Sequence, residues 1–243
     1  MPKVTEKQTG LSGNQLKIIA LLAMTCDHVG MQLLPQFGFL RIIGRLAMPI
    51  FAYMIAEGCR YTRNRLRYLC RLLLLALACQ VVYFVALGSL YQCILVTFSL
   101  SAGMIFAMDN ARTRRDTASE LLALGVLSGI CFFCVGLPAI LSGTDFAVDY
   151  GICGVVLPVL VYFGKSRRDK LLLATAGLIL LGLDCGGAQW WALAAVPLLA
   201  LYNGKRGKLP IGNLFYIYYP LHLVVIYGIN LLILFLNRTK PFY

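Results

Sequence analysis

The chain has 243 residues, of which 60% are hydrophobic and only 13% are charged, and its mean hydropathy is +0.78. This composition excludes a water-soluble globular class and predicts an integral membrane protein. The net charge of +12 does not predict nucleic-acid binding, because the basic residues lie mainly in short connections between apolar segments.

Apolar segments long enough to cross about 30 Å of hydrocarbon as helices recur from Leu16 to Leu236. Runs such as 72–78 lack the alternation of apolar and polar residues that a membrane β-barrel requires. We therefore predict an all-α, polytopic bundle of about nine transmembrane helices. It forms one domain over residues 1–243, which includes a polar cytoplasmic N-terminus at 1–13. The predicted spans are 14–34, 40–59, 67–88, 91–109, 118–137, 147–164, 171–185, 189–203 and 213–236.

The basic residues predict the orientation of these spans. With the N-terminus in the cytoplasm, all but four of the 22 Lys and Arg residues fall in cytoplasmic segments, the exceptions being Arg41, Arg45, Arg238 and Lys240. This positive-inside pattern predicts an N-in, C-out topology in contact with membrane lipids. The first span lacks a small-residue cleavage site, so we expect it to remain in the mature protein.

The nine cysteines are scattered through apolar segments, which favours a role as small packing residues. Only Cys131 and Cys134 form a C-x-x-C pair, and no second pair or histidine lies near them in the sequence. We predict no metal site.

The first predicted span carries Asp27 and His28 past its middle, where ionisable groups are expensive unless they are paired or functional. Lys17, Met24 and His28 are separated by 7 and 4 residues, so they share one helical face. Lys17 and His28 lie about 16 Å apart along the axis, comparable with the length of a pantetheine arm. The face therefore suits a donor with a phosphate head and a thioester tip, although Lys17 can also serve as a simple anchor at the membrane surface.

His28 has the chemistry of a general base near neutral pH. Asp27 points about 100° away from it on the helix, so the carboxylate can pair with Arg41 or Arg45 instead. Those two arginines share a face of the second span and require an anion, which is either a carboxylate of Asp27, Asp149 or Glu57 or the oxyanion of a transition state. A buried polar network that only fixes helix packing is the alternative for these residues.

The last predicted span carries His222 after Pro220, either as a hydrogen-bonded imidazole in an aromatic packing face or as a second site residue. The preceding basic loop, 202–208, contains Lys205 and Arg206 between glycines. Its charge and backbone amides can clamp phosphates, although such a loop can also simply set orientation. The break between Gly44 and Pro49 predicts a kink in the second span.

At these residues the chain resembles the TraX family, whose founding member acetylates the N-terminus of conjugative pilin. The resemblance covers nearly the whole chain. It rests on Lys17-Ile-Ile-Ala, Met24-Thr-Cys-Asp27-His28, Arg41-Ile-Ile-Gly-Arg45-Leu-Ala-Met-Pro49, Glu57-Gly, Asp149-Tyr150-Gly151, Tyr202-Asn203-Gly204-Lys205-Arg206-Gly207 and Phe215-Tyr216-Ile-Tyr218-Tyr219-Pro220-Leu-His222. The family is similar to a wider group of transmembrane acyltransferases, in which a basic residue, usually arginine, precedes a first-helix histidine by eleven positions; here these are Lys17 and His28.

The resemblance implies acetyl transfer from cytosolic acetyl-CoA to an amine or hydroxyl acceptor that approaches from the extracytoplasmic side of a bacterial cell membrane. The acceptor can be a pilin-like N-terminus, a peptide, a lipid, a glycan or a small molecule. The expected catalytic residues are His28, as general base or acetyl carrier, with Asp27, Arg41 and Arg45. The expected donor-binding residues are Lys17, Lys205, Arg206, Tyr219 and His222. Two other classes remain open: a transporter that uses the Asp27, His28 and Arg45 cluster as a proton or anion relay, and a non-catalytic scaffold for pilus or envelope assembly.

Overall fold

The computed structural model describes residues 10–208 and 212–238. Apart from two isolated parallel β-bridges, the regular secondary structure of these residues is helical, with turns and irregular connections between the helices. The predicted polar N-terminus starts before this range, and the predicted cytoplasmic charges Lys3 and Lys7 and the terminal Lys240 lie outside it. The all-α class predicted from the sequence is confirmed.

The helices follow one another with short connections. In chain order they are α1 (Gly13–Gln32), α2 (Gly38–Gly44), α3 (Ala47–Tyr61), α4 (Arg65–Leu87), α5 (Ile94–Arg114), α6 (Thr117–Cys131), a π-helical turn (Phe132–Gly136), α7 (Leu137–Ile140), α8 (Gly151–Phe163), α9 (Arg167–Cys185), a 3-10 helix (Gly187–Ala194), α10 (Ala195–Ala200) and α11 (Gly212–Arg238).

Five helices in the described residues are long and apolar enough to cross a membrane, and two further apolar helices are shorter. The five are Gly38–Tyr61, Arg65–Val85, Ile94–Arg114, Thr117–Ile140 and Ile217–Leu236, and the shorter two are Gly151–Phe163 and Gly187–Ala200. Helices α1 and α9 fall outside both sets because polar and charged residues interrupt them, as at the start of α9. Five candidate crossings are therefore found where the sequence predicted about nine spans.

The predicted kink in the second span is confirmed. Helix α2 ends at Gly44 and α3 begins at Ala47, with Arg45 between them. Pro49 lies in the first turn of α3, where its missing N–H removes no intrahelical hydrogen bond. Arg45 therefore lies in the break between α2 and α3, and its side chain contacts Asp27 of α1.

Two sets of contacts define the two ends of the bundle. At one end, which we call the Lys17 end, Lys170 of α9 pairs with Glu57 of α3 at 2.5 Å and Arg65 of α4 pairs with Asp109 of α5. At the opposite His28 end, the amide of Gln92 donates to the Ala147 carbonyl at 2.8 Å. Connections therefore alternate between the ends along the chain, as expected for a bundle of antiparallel neighbours.

Helix starts at the Lys17 end are capped by side chains. Ser12 and Ser166 form capping boxes at α1 and α9, and Asn64 and Asp116 accept backbone N–H bonds at α4 and α6. Such caps satisfy the backbone donors that a helix start leaves open.

Large apolar side chains cover much of the outside, including Leu74, Val85, Leu121 and Phe235, each more than half exposed. Lipid is the solvent that suits such a surface. The prediction that the cysteines pack inside is confirmed for Cys59, Cys79 and Cys93, which are buried. It is wrong for three others, which the helix rotation turns outward into exposed positions: Cys70, Cys131 and Cys185.

Candidate functional site

His28 of α1 and His222 of α11 form a hydrogen-bonded imidazole pair. The Nδ1 atom of His28 lies 2.8 Å from the Nε2 atom of His222, and the ring planes are 22° apart. On its other side, Nδ1 of His222 lies 3.1 Å from the backbone carbonyl oxygen of Tyr218. His222 is buried, whereas His28 is only partly buried because it lines a cavity.

Asp27 of α1 binds both arginines of the second predicted span, Arg41 and Arg45. Arg41 Nη1 donates to Oδ2 of Asp27 at 2.8 Å, and Arg45 Nη2 donates to Oδ1 at 3.2 Å. Of the counter-ions considered from the sequence, Asp27 is thus the one that the structure pairs with both guanidinium groups. The two guanidinium groups and one carboxylate give this cluster one net positive charge, and its N–H donors suit a developing oxyanion. The carboxylates of Asp149 and Asp145 line the same cavity.

Further contacts fix Arg45. Its Nη1 atom donates to the Oε1 atom of Gln189 at 3.2 Å and to the hydroxyl of Tyr150 at 3.4 Å. Tyr150 has a positive φ of 59°, which is uncommon for a non-glycine residue and turns the chain into α8. In the sequence, Tyr150 stands out only as part of the family motif and Gln189 does not stand out at all, because neither residue carries a charge or falls in a periodic pattern.

These residues line a cavity of about 680 Å³ at the His28 end, which we call the His28 cavity. Asp149 contributes a carboxylate whose Oδ1 accepts from the Tyr91 hydroxyl at 2.7 Å. Asp145 lines the rim, where it accepts from the Ser89 hydroxyl and the Leu90 amide. Those two bonds stabilise the ionised form and hold the pKa of Asp145 below its ordinary value of 3.8.

A second cavity of about 500 Å³, the Lys17 cavity, opens at the other end of α1. Lys17 and Arg206 line it together with Glu57 and the aromatic rings of Tyr61 and Tyr202. The sequence predicted Lys17 and Arg206 as neighbours in a donor site, and the structure brings them to one cavity.

The basic loop is fastened to the start of α1 through its backbone. The amides of Gly13 and Asn14 donate to the carbonyls of Lys205 and Arg206 at 2.8 and 2.9 Å. These two amides at the start of α1 are thereby satisfied by protein carbonyls and are not available to a ligand. Lys205 is exposed and is not among the residues that line the cavity.

Tyr219 and His222, predicted with the donor-binding residues, lie at the His28 end. Tyr219 is buried, and its ring meets that of His222 edge-on at 5.3 Å. The structure therefore separates the predicted donor-binding residues into two groups along α1.

A layer of buried apolar side chains separates the Lys17 cavity from a small cavity of about 60 Å³ beneath His28. Met24 and Phe51 line the small cavity, Met54 lines the Lys17 cavity, and no residue lines both. These two cavities are therefore separate in the structure.

In the described part of the chain, no group of three or more His, Cys, Asp or Glu side chains is placed to hold a metal ion. Glu57, considered from the sequence as a partner for the arginines, pairs with Lys170 instead and lies at the opposite end from Asp27.

The fold and these contacts define an α-helical membrane protein with a hydrogen-bonded histidine pair, an Arg–Asp–Arg cluster and a basic cavity at the opposite end. Residues 12–230 match the model of the family described as TraX protein. The chain belongs to the TraX family, as the sequence motifs predicted.

Two relatives extend the comparison. The chain is 28% identical over 242 residues to a probable fimbrial assembly protein, FimC of serogroup H1, from Dichelobacter nodosus, and the match covers 88% of this chain and 94% of that protein. Over 38 residues it is 53% identical to the uncharacterized protein RP591 of Rickettsia prowazekii (strain Madrid E), covering 16% of this chain and 15% of the relative. No solved structure matches.

Proposed function

We propose that the protein is a membrane-embedded acetyltransferase that transfers an acetyl group from cytosolic acetyl-CoA to an amine or hydroxyl presented from the extracytoplasmic side. The observation that carries the proposal is the placement of His28 and Lys17 on one helix. His28 lines a cavity beside two guanidinium groups, and Lys17 lines a separate basic cavity about 16 Å away along the axis.

The Lys17 cavity takes the phosphate end of the donor. Lys17 and Arg206 supply the charge there, and the exposed Lys205 adds positive charge in the same loop as Arg206. The positive-inside distribution favours the cytoplasm for this end, and acetyl-CoA is found there. The pantetheine arm then runs along α1 past Met24, and the buried apolar layer between the two cavities has to open for the thioester to reach His28.

At His28 the acceptor enters from the His28 cavity. The imidazole takes the proton from the attacking amine or hydroxyl as the nucleophile bonds to the thioester carbonyl. The carbonyl oxygen becomes an oxyanion, which Arg41 and Arg45 stabilise. When the C–S bond breaks, the proton passes from His28 to the leaving thiolate, so the products are the acetylated acceptor and CoA thiol. In the acetyl-carrier variant, His28 itself first accepts the acetyl group.

The family and the D. nodosus relative favour a surface-filament acceptor. That relative is named as a probable fimbrial assembly protein. The volume of the His28 cavity, about 680 Å³, suits the end of a peptide as well as a small molecule. A pilin-like N-terminus is therefore the first acceptor to test, followed by peptides, lipids, glycans and small amines, in a bacterial inner membrane.

The test is acetyl transfer by protein reconstituted in nanodiscs, with radiolabelled acetyl-CoA and cell-envelope material from a deletion strain. We expect label to pass to an envelope acceptor, which mass spectrometry then identifies.

His28→Ala should abolish transfer while the thermal unfolding temperature stays near that of the parent. Cys26→Ala, two residues away on the same helix, is the matched control and should transfer normally. Full transfer by His28→Ala would remove His28 from the mechanism, and absence of acetyl-CoA binding by the parent protein would overturn the proposal.

A further inference from the structure

The backbone carbonyl of Tyr218 assigns the protons of the histidine pair. A carbonyl oxygen only accepts hydrogen bonds, so Nδ1 of His222, 3.1 Å away, must carry a hydrogen. In a neutral imidazole the other nitrogen is then unprotonated and accepts. The Nε2 atom of His222 is therefore an acceptor.

The acceptor at Nε2 of His222 in turn assigns the hydrogen of His28. Nδ1 of His28 lies 2.8 Å from that acceptor, so it must donate. In the neutral pair this leaves Nε2 of His28 without a hydrogen and with its lone pair available. A base or nucleophile needs this lone pair, and His28 is the member of the pair that lines the His28 cavity.

Packing holds the His222 ring in this position. Its ring stacks on that of Tyr218 with centroids 5.4 Å apart and planes 5° apart, and Tyr219 meets it edge-on. The Tyr218 hydroxyl in turn lies 2.6 Å from Oγ1 of Thr25 on α1, which ties the two helices together next to the pair. Rotation of His222 away from His28 would break these contacts.

The hydrogen-bonded chain ends at the Tyr218 carbonyl, which has no proton to pass on. On the His222 side the pair is therefore arranged to orient His28. The relay considered from the sequence runs through Asp27, His28 and Arg45 and does not use this branch.

We propose that His222 is a positioning residue that holds His28 in the tautomer with hydrogen on Nδ1, so that Nε2 faces the reaction. Its catalytic meaning rests on the proposed acetyl transfer, but the tautomer itself is a property of the resting protein. The two can therefore be tested separately.

The structural test is ¹⁵N NMR of histidine-labelled protein in lipid bilayers. The chain has only two histidines, so the parent spectrum contains two imidazoles and each single variant contains one. At neutral pH we expect both rings to show a protonated Nδ1 and an unprotonated Nε2. In His222→Gln the amide oxygen can still accept from His28, so His28 should keep its tautomer. In His222→Leu the acceptor is lost, and a share of His28 should carry its hydrogen on Nε2.

Turnover should follow the tautomer. His222→Leu should lower kcat in proportion to the share of His28 that has lost the hydrogen on Nδ1, with little change in the KM for acetyl-CoA. His222→Gln should recover most of this loss. Leu223→Ala removes a fully buried neighbour on the same helix and controls for packing damage; it should lower thermal stability while the His28 tautomer stays as in the parent.

Two results would overturn the positioning role: a parent protein with hydrogen on Nε2 of His28, or a His222→Leu variant whose His28 tautomer is unchanged. If instead the tautomers are as expected but no acetyl transfer occurs with any acceptor, the pairing stands and the proposed function fails.

Discussion

Gly44 approaches Asp27 so closely that a Cβ atom built on the glycine would lie 2.3 Å from both the Cβ and the Oδ1 of Asp27. Backbone contact of this kind between α2 and α1 requires a residue without a side chain. The same carboxylate holds Arg41 and Arg45, so Gly44 sets the position of the whole cluster beside His28.

Gly44→Ala should therefore displace Asp27 and separate it from at least one arginine. We expect acetyl transfer to fall by at least tenfold, together with a lower unfolding temperature. The comparison is Gly103→Ala on α5, where a Cβ would meet nothing within 4 Å. Equal behaviour of the two alanine variants would show that the close approach at Gly44 has no functional consequence.

Asp27→Asn should destabilise the protein by about 2 kcal/mol. Removing one member of a fully buried ion pair costs about 3–5 kcal/mol, and the cost here is lower because the cluster is partly exposed to its cavity. Asp109→Asn is the matched control. Its partner Arg65 is about half exposed, so the loss there should be at most about 1 kcal/mol. Thermal or denaturant unfolding in detergent measures both, and a smaller effect at Asp27 than at Asp109 would contradict the structural role of the cluster.

Arg206→Gln should raise the KM for acetyl-CoA about tenfold, because a charge-assisted hydrogen bond is worth about 1.5–3 kcal/mol and 1.4 kcal/mol corresponds to a factor of ten. Lys205→Gln should have a smaller effect, since the Lys205 side chain lies outside the cavity lining. In both variants kcat should change little. An unchanged KM in Arg206→Gln would remove this loop from the donor site.

Met54→Trp should obstruct the donor route. Met54 lines the Lys17 cavity next to the apolar layer that closes off His28, and a larger ring there would keep the layer closed. We expect transfer from acetyl-CoA to fall while binding of CoA, measured by calorimetry, persists. Normal transfer by this variant would place the thioester on another path.

Asp145 predicts a pH effect at the His28 end. Because its pKa is held below 3.8 by bonds from Ser89 and Leu90, its contribution to stability is fully present above that pH and is lost as the pH falls through the lowered pKa. Asp145→Ala should therefore unfold more easily than the parent at neutral pH. The difference should shrink at the lowest pH at which the protein remains folded. A difference that grows in acid would have the wrong sign.

Particular residues show how far the sequence alone reaches. The spacing of Lys17 and His28 predicted a shared helix, and the kink between Gly44 and Pro49 followed from the residues themselves. Local patterns of this kind survive folding because they depend on backbone geometry within one element. The number of crossings did not follow as simply. Charged residues lower the mean hydropathy of α1 and α9, so these two helices are not among the five candidate crossings.

Composition and motif thus determined that this is a helical membrane protein of the TraX family with ionisable groups inside it. Only the tertiary structure decided the partners: Asp27 with both arginines, His28 with His222, and Glu57 with Lys170. His28 and His222 are separated by 194 positions, and no local rule pairs residues so far apart. Their contact depends on how α1 and α11 pack, which the sequence of neither helix specifies by itself.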